Sequence, residues 1–172
     1  MELETERTLL RNIEQNDDKD IFEYSSNPFV GPNAGWEPHQ SIEETRQIMN
    51  EVFMNQESIF GIVLKSSQKL IGTVGLIADP KRQNPKVLML GYAISHDYWD
   101  RGLMTEVSKE IIRYGFENLH LSRISCCCYP FNGRSKAVIK KCGFEYEGTL
   151  KEGELRYDGK VFDLECYSLS HQ

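Results

Sequence analysis

Residues 91–104 read G-Y-A-I-S-H-D-Y-W-D-R-G-L-M, and they predict the end of a strand, a short turn and the start of a helix. The strand part is apolar, and the turn that follows it is mostly polar. Beyond the turn, apolar residues recur three or four positions apart, the spacing of one helix face. These residues are Met104, Val107, Ile111 and Tyr114. The sequence therefore predicts a strand–turn–helix unit at residues 91–104.

The start of this helix suits a phosphate group. The first turn of a helix carries free backbone N–H groups and the positive end of the helix dipole. Gly102 allows an anion to approach the backbone closely, and Arg101 adds a permanent positive charge. An ordinary strand-to-helix turn without a ligand has the same spacing, and this alternative stays open.

Length and composition indicate one globular domain, residues 1–172. The net charge of −6 argues against direct binding of nucleic acid by charge alone. The sequence has no apolar stretch long enough to cross a membrane, and its acidic start lacks the apolar core of a signal peptide. We therefore expect a cytoplasmic protein with no membrane partner. A homodimer is compatible with these features.

The five cysteines do not indicate a metal site. Cys126, Cys127 and Cys128 are consecutive, and neighbours in a strand point to opposite faces, so the three cannot ligate one ion. The four histidines are scattered along the chain. We expect reduced cysteines that serve as small apolar side chains.

Hydrophobic patterns and turn signals predict strands and helices in a mixed order. The predicted strands are residues 8–13, 59–65, 70–77, 86–95, 123–129, 144–150 and 161–169. The predicted helices are residues 17–26, 41–55 and 133–142, together with the one that opens at 101–102. This order is typical of a mixed α/β or α+β fold with one sheet and helices on both faces.

The segment 27–40 is predicted to be a loop, because it is rich in proline and glycine. It carries Phe29 and Trp36, and aromatic side chains in a loop often line a binding site, so both are candidate substrate-binding residues. The alternative is that both rings pin the loop to the core. The helix after the loop begins with a capping box, Ser41 to Glu44. The residues of this helix expected to point inward are Ile42, Ile48, Val52 and Phe53.

Signatures of P-loop, Rossmann, zinc-protease and serine-hydrolase sites are absent from the sequence. Four other segments occur in order: T-E-R-T-L-L-R, G-Y-A-I-S-H-D-Y-W-D-R-G-L-M-T-E, N-G-R-S-K-A-V-I-K-K-C-G-F-E-Y-E-G and F-D-L-E-C-Y-S-L. In these segments the chain resembles the acyl-CoA-dependent N-acetyltransferases of the GNAT superfamily. Within the superfamily it resembles the group that includes ribosomal-protein N-terminal acetyltransferases.

The resemblance implies a mostly antiparallel sheet of about seven strands, splayed between the fourth and fifth, with acetyl-CoA as acyl donor in the opening and no metal. The pyrophosphate is expected on the amides of the helix start, and the pantetheine arm along the preceding strand edge and Asn132. The implied cofactor-binding residues are Tyr92, Ala93, Ile94, Arg101, Gly102, Leu103, Met104, Thr105 and Asn132. The chain departs from the family at Met104, where glycine or alanine is usual, and at Trp99, where glutamine or arginine is frequent.

Two catalytic residues follow from the same resemblance. Many members protonate the leaving thiolate with a tyrosine at the position of Ile139, whereas the N-x-x-S pattern from Asn132 to Ser135 matches the ribosomal-type alternative. Ser135 is therefore the candidate proton donor, and an ordinary first-turn serine is its alternative. Relatives often carry a basic carboxylate at the position of Met89, so the candidate base is Glu154, whose alternative is a solvated loop carboxylate.

The implied reaction is direct attack of a primary amine on the thioester. An α-amine has a pKa of about 7.7–8.0 and a lysine amine one of about 10.4, so an α-amine needs the weaker base. A protein N-terminus is therefore favoured as acceptor. A small-molecule amine, and a non-catalytic acyl-CoA sensor, are the alternatives.

Overall fold

The structure, a computed structural model, describes residues 2–54 and 56–171. Eight strands form one sheet in the order β1-β2-β3-β4-β5-β6-β8-β7. Their bounds are β1 Glu2–Glu4, β2 Thr8–Arg11, β3 Ile59–Leu64, β4 Leu70–Ala78, β5 Val87–Ile94, β6 Arg123–Cys128, β7 Glu145–Leu155 and β8 Val161–Ser170. Every pairing is antiparallel except that of β5 with β6, which is parallel.

Five α-helices accompany the sheet in the described residues. They are α1 Asp18–Ser25, α2 Gly31–Ala34, α3 Ile42–Ile48, α4 Leu103–Glu117 and α5 Gly133–Lys141. A π-helical turn, Met49–Phe53, continues α3. Helices α4 and α5 pack with the sheet into one apolar cluster, and α1 packs with the sheet into a second apolar cluster. Helices therefore cover both faces of the sheet.

The central β5 and β6 diverge along their length. Only Val87–Met89 of β5 pair with β6, and their partners are Arg123–Ser125. In the described residues, β5 then continues to Ile94 without a strand partner on that side. The sheet therefore opens in a V between these two strands. This is the splay that the resemblance implied between the fourth and fifth predicted strands, and it is confirmed.

Helix α4 shows how residues 91–104 determine the fold. Its predicted apolar stripe is buried, from Met104 at 7% exposed to Val107 and Ile111 at 0%. Gly115 lies where the helix touches the sheet, since an added Cβ there would come within 2.9 Å of Ile124 and Leu76. The stripe thus fixes α4 against the sheet, directly after the strand that borders the opening.

The N-terminal half corrects two predictions. Residues 2–4 form a strand, so the sheet has eight strands rather than about seven; a three-residue strand is too short to show an alternating pattern. The predicted loop 27–40 contains helix α2, whose first turn carries Pro32 and which ends at Gly35, in the left-handed conformation at φ 92°.

The segment after Ser41 also differs from the prediction. The Ser41 hydroxyl accepts from the Glu44 N–H at 3.1 Å, as a capping residue should. Val52, predicted to point inward, is 47% exposed, whereas Thr45 and Met49 are fully buried. The change from α to π geometry at Met49 explains the exposure of Val52, because a wider turn rotates every later side chain about the helix axis.

Strand β7 runs further than expected. It was predicted to end at residue 150, but it continues to Leu155 and pairs Glu154 with Phe162 on β8. The register shifts between Leu150 and Glu154, so a bulge interrupts the ladder there. Glu154 therefore lies in a strand and not in a solvated loop.

Candidate active site

The opening between β5 and β6 leads into a cavity of about 1200 Å³. Walls from β5, α4, β6, α5 and β7 meet there, so elements far apart in sequence contribute side chains to one space. The predicted site residues that line it are Trp36, Tyr92, Ala93, Ile94, Gly102, Leu103, Met104, Thr105, Asn132, Ser135 and Glu154. The two remaining predicted residues, Arg101 and Phe29, lie outside this lining.

The first turn of α4 opens onto the cavity. Gly102 precedes the helix with φ 74°, a left-handed conformation that glycine adopts without strain. The Glu106 N–H donates to the Gly102 carbonyl at 3.1 Å, so the amides of Leu103 to Thr105 lie in the turn whose donors lack an acceptor within the helix. Most of the Met104 side chain is buried in the core, although it contributes to the cavity wall.

The positive charge at this helix start comes from two arginines. Arg101 is exposed, and its guanidinium lies 5.2 Å from the centre of the Tyr98 ring. Arg7, which the sequence reasoning did not single out, donates to the Arg101 carbonyl at 3.0 Å and forms an ion pair with Glu106 at 2.7 Å. No local pattern signals this role, because Arg7 reaches α4 only through the packing of the N-terminal segment.

The free edge of β5 forms another wall. Its residues Tyr92 and Ala93 pair with β4 on one side and face the opening on the other. The indole N–H of Trp99 donates to the Ile94 carbonyl at 2.9 Å and so closes the end of the edge. Arg134 of α5 stacks over the Trp99 ring at 4.7 Å. Trp99, where the chain departs from the family, therefore connects the turn before α4 to both β5 and α5.

Asn132 holds the start of α5. Its Oδ1 accepts from the Ser135 N–H at 3.1 Å and so caps the helix, and its Nδ2 donates to the Asn33 carbonyl at 3.2 Å. The side chain therefore links α5 to helix α2. In this arrangement both ends of the carboxamide have protein partners.

Ser135 meets a second hydroxyl inside the cavity. Its Oγ lies 2.8 Å from the hydroxyl of Tyr92 on β5. Withdrawal from bulk water raises the pKa of Tyr92 well above its usual range, so the phenol stays protonated at neutral pH. The sequence reasoning used only the backbone of Tyr92 and missed this contact.

Glu154 faces the same cavity from β7. Its Oε1 accepts from the Tyr129 hydroxyl at 2.7 Å, and burial together with this bond raises the pKa of Tyr129. Gly35 packs directly against the carboxylate, since an added Cβ would lie 2.6 Å from the Glu154 Oε1. Tyr129 and Gly35 are functional candidates that sequence patterns do not reveal, because each acts through a neighbour distant in the chain.

The two aromatic residues of segment 27–40 behave differently. Trp36 lines the cavity and also packs over Gly31, where an added Cβ would come within 2.7 Å of its ring. Phe29 is 59% exposed, and its ring centre lies 5.2 Å from that of His96 at the surface. Trp36 therefore lies in the cavity wall and also packs against its own segment, whereas Phe29 neither lines the cavity nor packs in the core.

Residues 2–54 and 56–171 contain no cluster of three or more histidine, cysteine or acidic side chains arranged to hold a metal ion. In the same residues, none of the helices combines the length and apolar character needed to span a membrane.

The splayed sheet and the helix start that opens onto the cavity agree with what comparison with known proteins shows. The family model described as an acetyltransferase (GNAT) domain matches residues 7–145. The chain belongs to the GNAT family of N-acetyltransferases.

Individual relatives agree with this assignment. The chain is similar to the uncharacterized N-acetyltransferase YoaA of Bacillus subtilis, with 32% identity over 97% of this chain and 95% of that protein. It is also similar to the ribosomal protein uS5-alanine N-acetyltransferase of Escherichia coli, with 30% identity over 94% of this chain and 86% of that protein. An acetyltransferase (GNAT family) structure from Bacillus anthracis shares the fold, with a TM-score of 0.87 at 24% identity over 99% of this chain and 98% of that one.

Proposed function

We propose that this N-acetyltransferase transfers the acetyl group of acetyl-CoA to the α-amine of a protein N-terminus. The observation that carries the proposal is that Ser135 and Glu154 line one cavity, which also opens onto the start of α4. The similarity to an enzyme named for alanine acetylation of a ribosomal protein supports a protein N-terminus as acceptor. The proposal treats residues 1–172 as one acetyltransferase domain, active in the cytoplasm as a monomer or homodimer.

Three features of the chain suit acetyl-CoA as the donor. The amides at the start of α4 and the charge of Arg101 suit its pyrophosphate, whereas the charge of Arg7 is balanced by Glu106. The free β5 edge offers backbone groups to its amide-containing arm, and the cavity is large enough for the arm and an acceptor. Asn132 would have to exchange its bond to Asn33 for one to the donor if it contacts the arm.

The chemistry needs a neutral amine, a donor for the oxyanion and a proton for the departing thiolate. A backbone N–H of Ala93 or Ile94 on the β5 edge serves the oxyanion. Ser135 supplies the proton to sulfur, and Glu154 takes the proton that the attacking amine loses. Because an α-amine has a pKa of about 7.7–8.0, part of it is neutral at pH 7 without any base, so Glu154 need only be a weak one.

The test is the release of free thiol from acetyl-CoA with a panel of N-terminal peptides and small amines. We expect turnover on peptides, and we expect Ser135→Ala to lower kcat by about a hundredfold with the Kd for CoA unchanged. Ser122→Ala is the matched control, since Ser122 is an exposed serine that bonds the Lys86 carbonyl away from the cavity.

Each other outcome has a distinct meaning. Turnover on small amines alone would replace the N-terminal acceptor with a small-molecule one. Binding of CoA without turnover on any amine would contradict the enzymatic proposal and support an acyl-CoA sensor. Equal activity of Ser135→Ala and Ser122→Ala would remove Ser135 from the mechanism.

A further inference from the structure

The closest polar contact of the Ser135 hydroxyl comes from Tyr92. The two oxygens lie 2.8 Å apart, and the Tyr92 hydroxyl is also 3.5 Å from the Ser135 carbonyl. Both side chains line the cavity, one from β5 and the other from α5. The pair therefore bridges the two walls of the opening at the residue proposed to protonate the thiolate.

The surroundings hold both members of the pair in place. Ser135 lies in the first turn of α5, which Asn132 caps through the Ser135 N–H at 3.1 Å. The Tyr92 ring packs against the core cluster shared by the sheet, α4 and α5. The cap fixes the backbone of Ser135 and the core holds the ring of Tyr92, so the fold keeps the two hydroxyls within reach of each other.

The direction of the hydrogen bond decides what Ser135 can do. A hydroxyl has one proton and two lone pairs. If Ser135 donated to Tyr92, its only proton would point away from the cavity. If Tyr92 donates, its proton occupies a lone pair of Ser135 and leaves the serine proton free for another acceptor. A phenol is more acidic than an aliphatic alcohol, so Tyr92 is the better donor of the two, which favours the second arrangement.

We propose that Tyr92 is a positioning residue, whose hydroxyl donates to Ser135 Oγ and thereby directs the serine proton toward the leaving thiolate. This role rests on the acetyl transfer proposed above. The Tyr92 hydroxyl acts through Ser135 and needs no contact with the reacting atoms.

The proton balance of the step closes with water as the only further participant. The amine nitrogen forms a bond to the acetyl carbon, the carbon–sulfur bond breaks, and sulfur keeps the electron pair and takes the Ser135 proton. Glu154 releases to water in the cavity the proton that it has removed from the amine, and Ser135 Oγ takes a proton back from that water. Tyr92 keeps its own proton throughout.

The test is a double-mutant cycle of Tyr92→Phe and Ser135→Ala, in which kcat, the KM for acetyl-CoA and the Kd for CoA are measured for each variant. We expect Tyr92→Phe to lower kcat by roughly tenfold, the equivalent of one well-placed hydrogen bond, with KM and Kd within about twofold of the parent values. The double variant should be no slower than Ser135→Ala, because Tyr92 acts only through the serine. Ser135→Thr, which keeps the hydroxyl, should preserve the effect of Tyr92→Phe.

Tyr167→Phe is the matched control. Tyr167 is a buried tyrosine on β8 of the same sheet, and its hydroxyl donates to Glu165 at 2.8 Å outside the cavity lining. This control should lose comparable stability with kcat unchanged. If Tyr167→Phe lowers kcat as much as Tyr92→Phe, the effect is structural and the positioning role is overturned.

Failure of this inference is distinguishable from failure of the proposed function. Turnover by the parent enzyme with additive effects in the cycle, or with no effect of Tyr92→Phe, overturns the role of Tyr92 alone. Absence of turnover on every amine overturns the acetyl transfer together with this role. If circular dichroism shows that Tyr92→Phe is unfolded, the cycle is repeated with Tyr92→Trp, combined separately with Ser135→Thr and with Ser135→Ala. Equal effects on kcat in these two backgrounds again overturn the positioning role of Tyr92.

Discussion

Replacing Gly35 by alanine should damage the site through Glu154. An added Cβ would lie 2.6 Å from the Glu154 Oε1, whereas ordinary van der Waals contacts begin at 3.4 Å, so the carboxylate must move by 3.4 − 2.6 = 0.8 Å. The Tyr129 hydroxyl, 3.0 Å from the same Cβ, must also shift, and the 2.7 Å bond between the two side chains is lost or lengthened. A misplacement of about 1 Å can lower a rate by about a hundredfold, so we expect kcat to fall by roughly ten- to a hundredfold.

The same substitution also carries a backbone penalty that must be separated from the effect on Glu154. Gly35 has φ 92°, and a left-handed residue other than glycine costs about 1–2 kcal/mol, equivalent to a lowering of Tm by about 2–8 °C for a chain of this size. Gly159→Ala is the matched control, because Gly159 has φ 78° and its added Cβ would meet nothing within 4 Å. It should lower Tm by a similar amount and leave kcat unchanged.

The assay is thiol release at saturating acetyl-CoA and peptide, together with thermal unfolding of each variant. Adding Gly35→Ala to Glu154→Ala should cause no further loss of kcat, because the group that the Cβ displaces is then absent. Parent-like turnover by Gly35→Ala would refute the reasoning, and so would a loss of kcat in Gly159→Ala equal to that in Gly35→Ala.

Two further predictions concern the start of α4 and the turn after β7. Gly102→Ala places a methyl group where a phosphate would approach the start of α4, so the Kd for CoA measured by calorimetry should rise by roughly tenfold, and an unchanged Kd would count against the phosphate site. Arg156 holds the pKa of Asp158 at about 2 in the folded protein, below its usual value of 3.8. The ion pair therefore stabilises the fold at pH values above the pKa of the unfolded chain, and this stabilisation is lost as the pH falls through the pKa of the folded protein. Asp158→Asn should therefore lower Tm at pH 7 but approach the parent Tm near pH 2, and a difference that persists at pH 2 would contradict this cause.

Local patterns predicted most of the elements correctly. The spacing of Met104, Val107, Ile111 and Tyr114 predicted the buried face of α4, because a helix face repeats over many residues and the signal accumulates. Ser41 was also identified as a helix cap, since capping depends on residues close in the chain. The strand β1 and the helix α2 escaped prediction because each is too short to show a period.

The candidate site was predicted in part. The resemblance named Ser135 and Glu154, and the structure brings both to one cavity, while their roles stay predictions. The resemblance also named Arg101, and the composition of segment 27–40 named Phe29; both residues lie outside the cavity lining. Side-chain direction decided these cases, and direction at a turn or loop depends on contacts with distant residues.

The amino-acid sequence by itself determined the order of strands and helices apart from β1 and α2, the buried face of α4 and the membership of the GNAT family, because periodicity and motif spacing act over neighbouring residues. Only the tertiary structure decided which side chains meet. Tyr92 contacts Ser135 across 43 positions, Tyr129 contacts Glu154 across 25, and Arg7 contacts Glu106 across 99. Such contacts depend on how the sheet twists and splays, and this follows from the packing of the whole core.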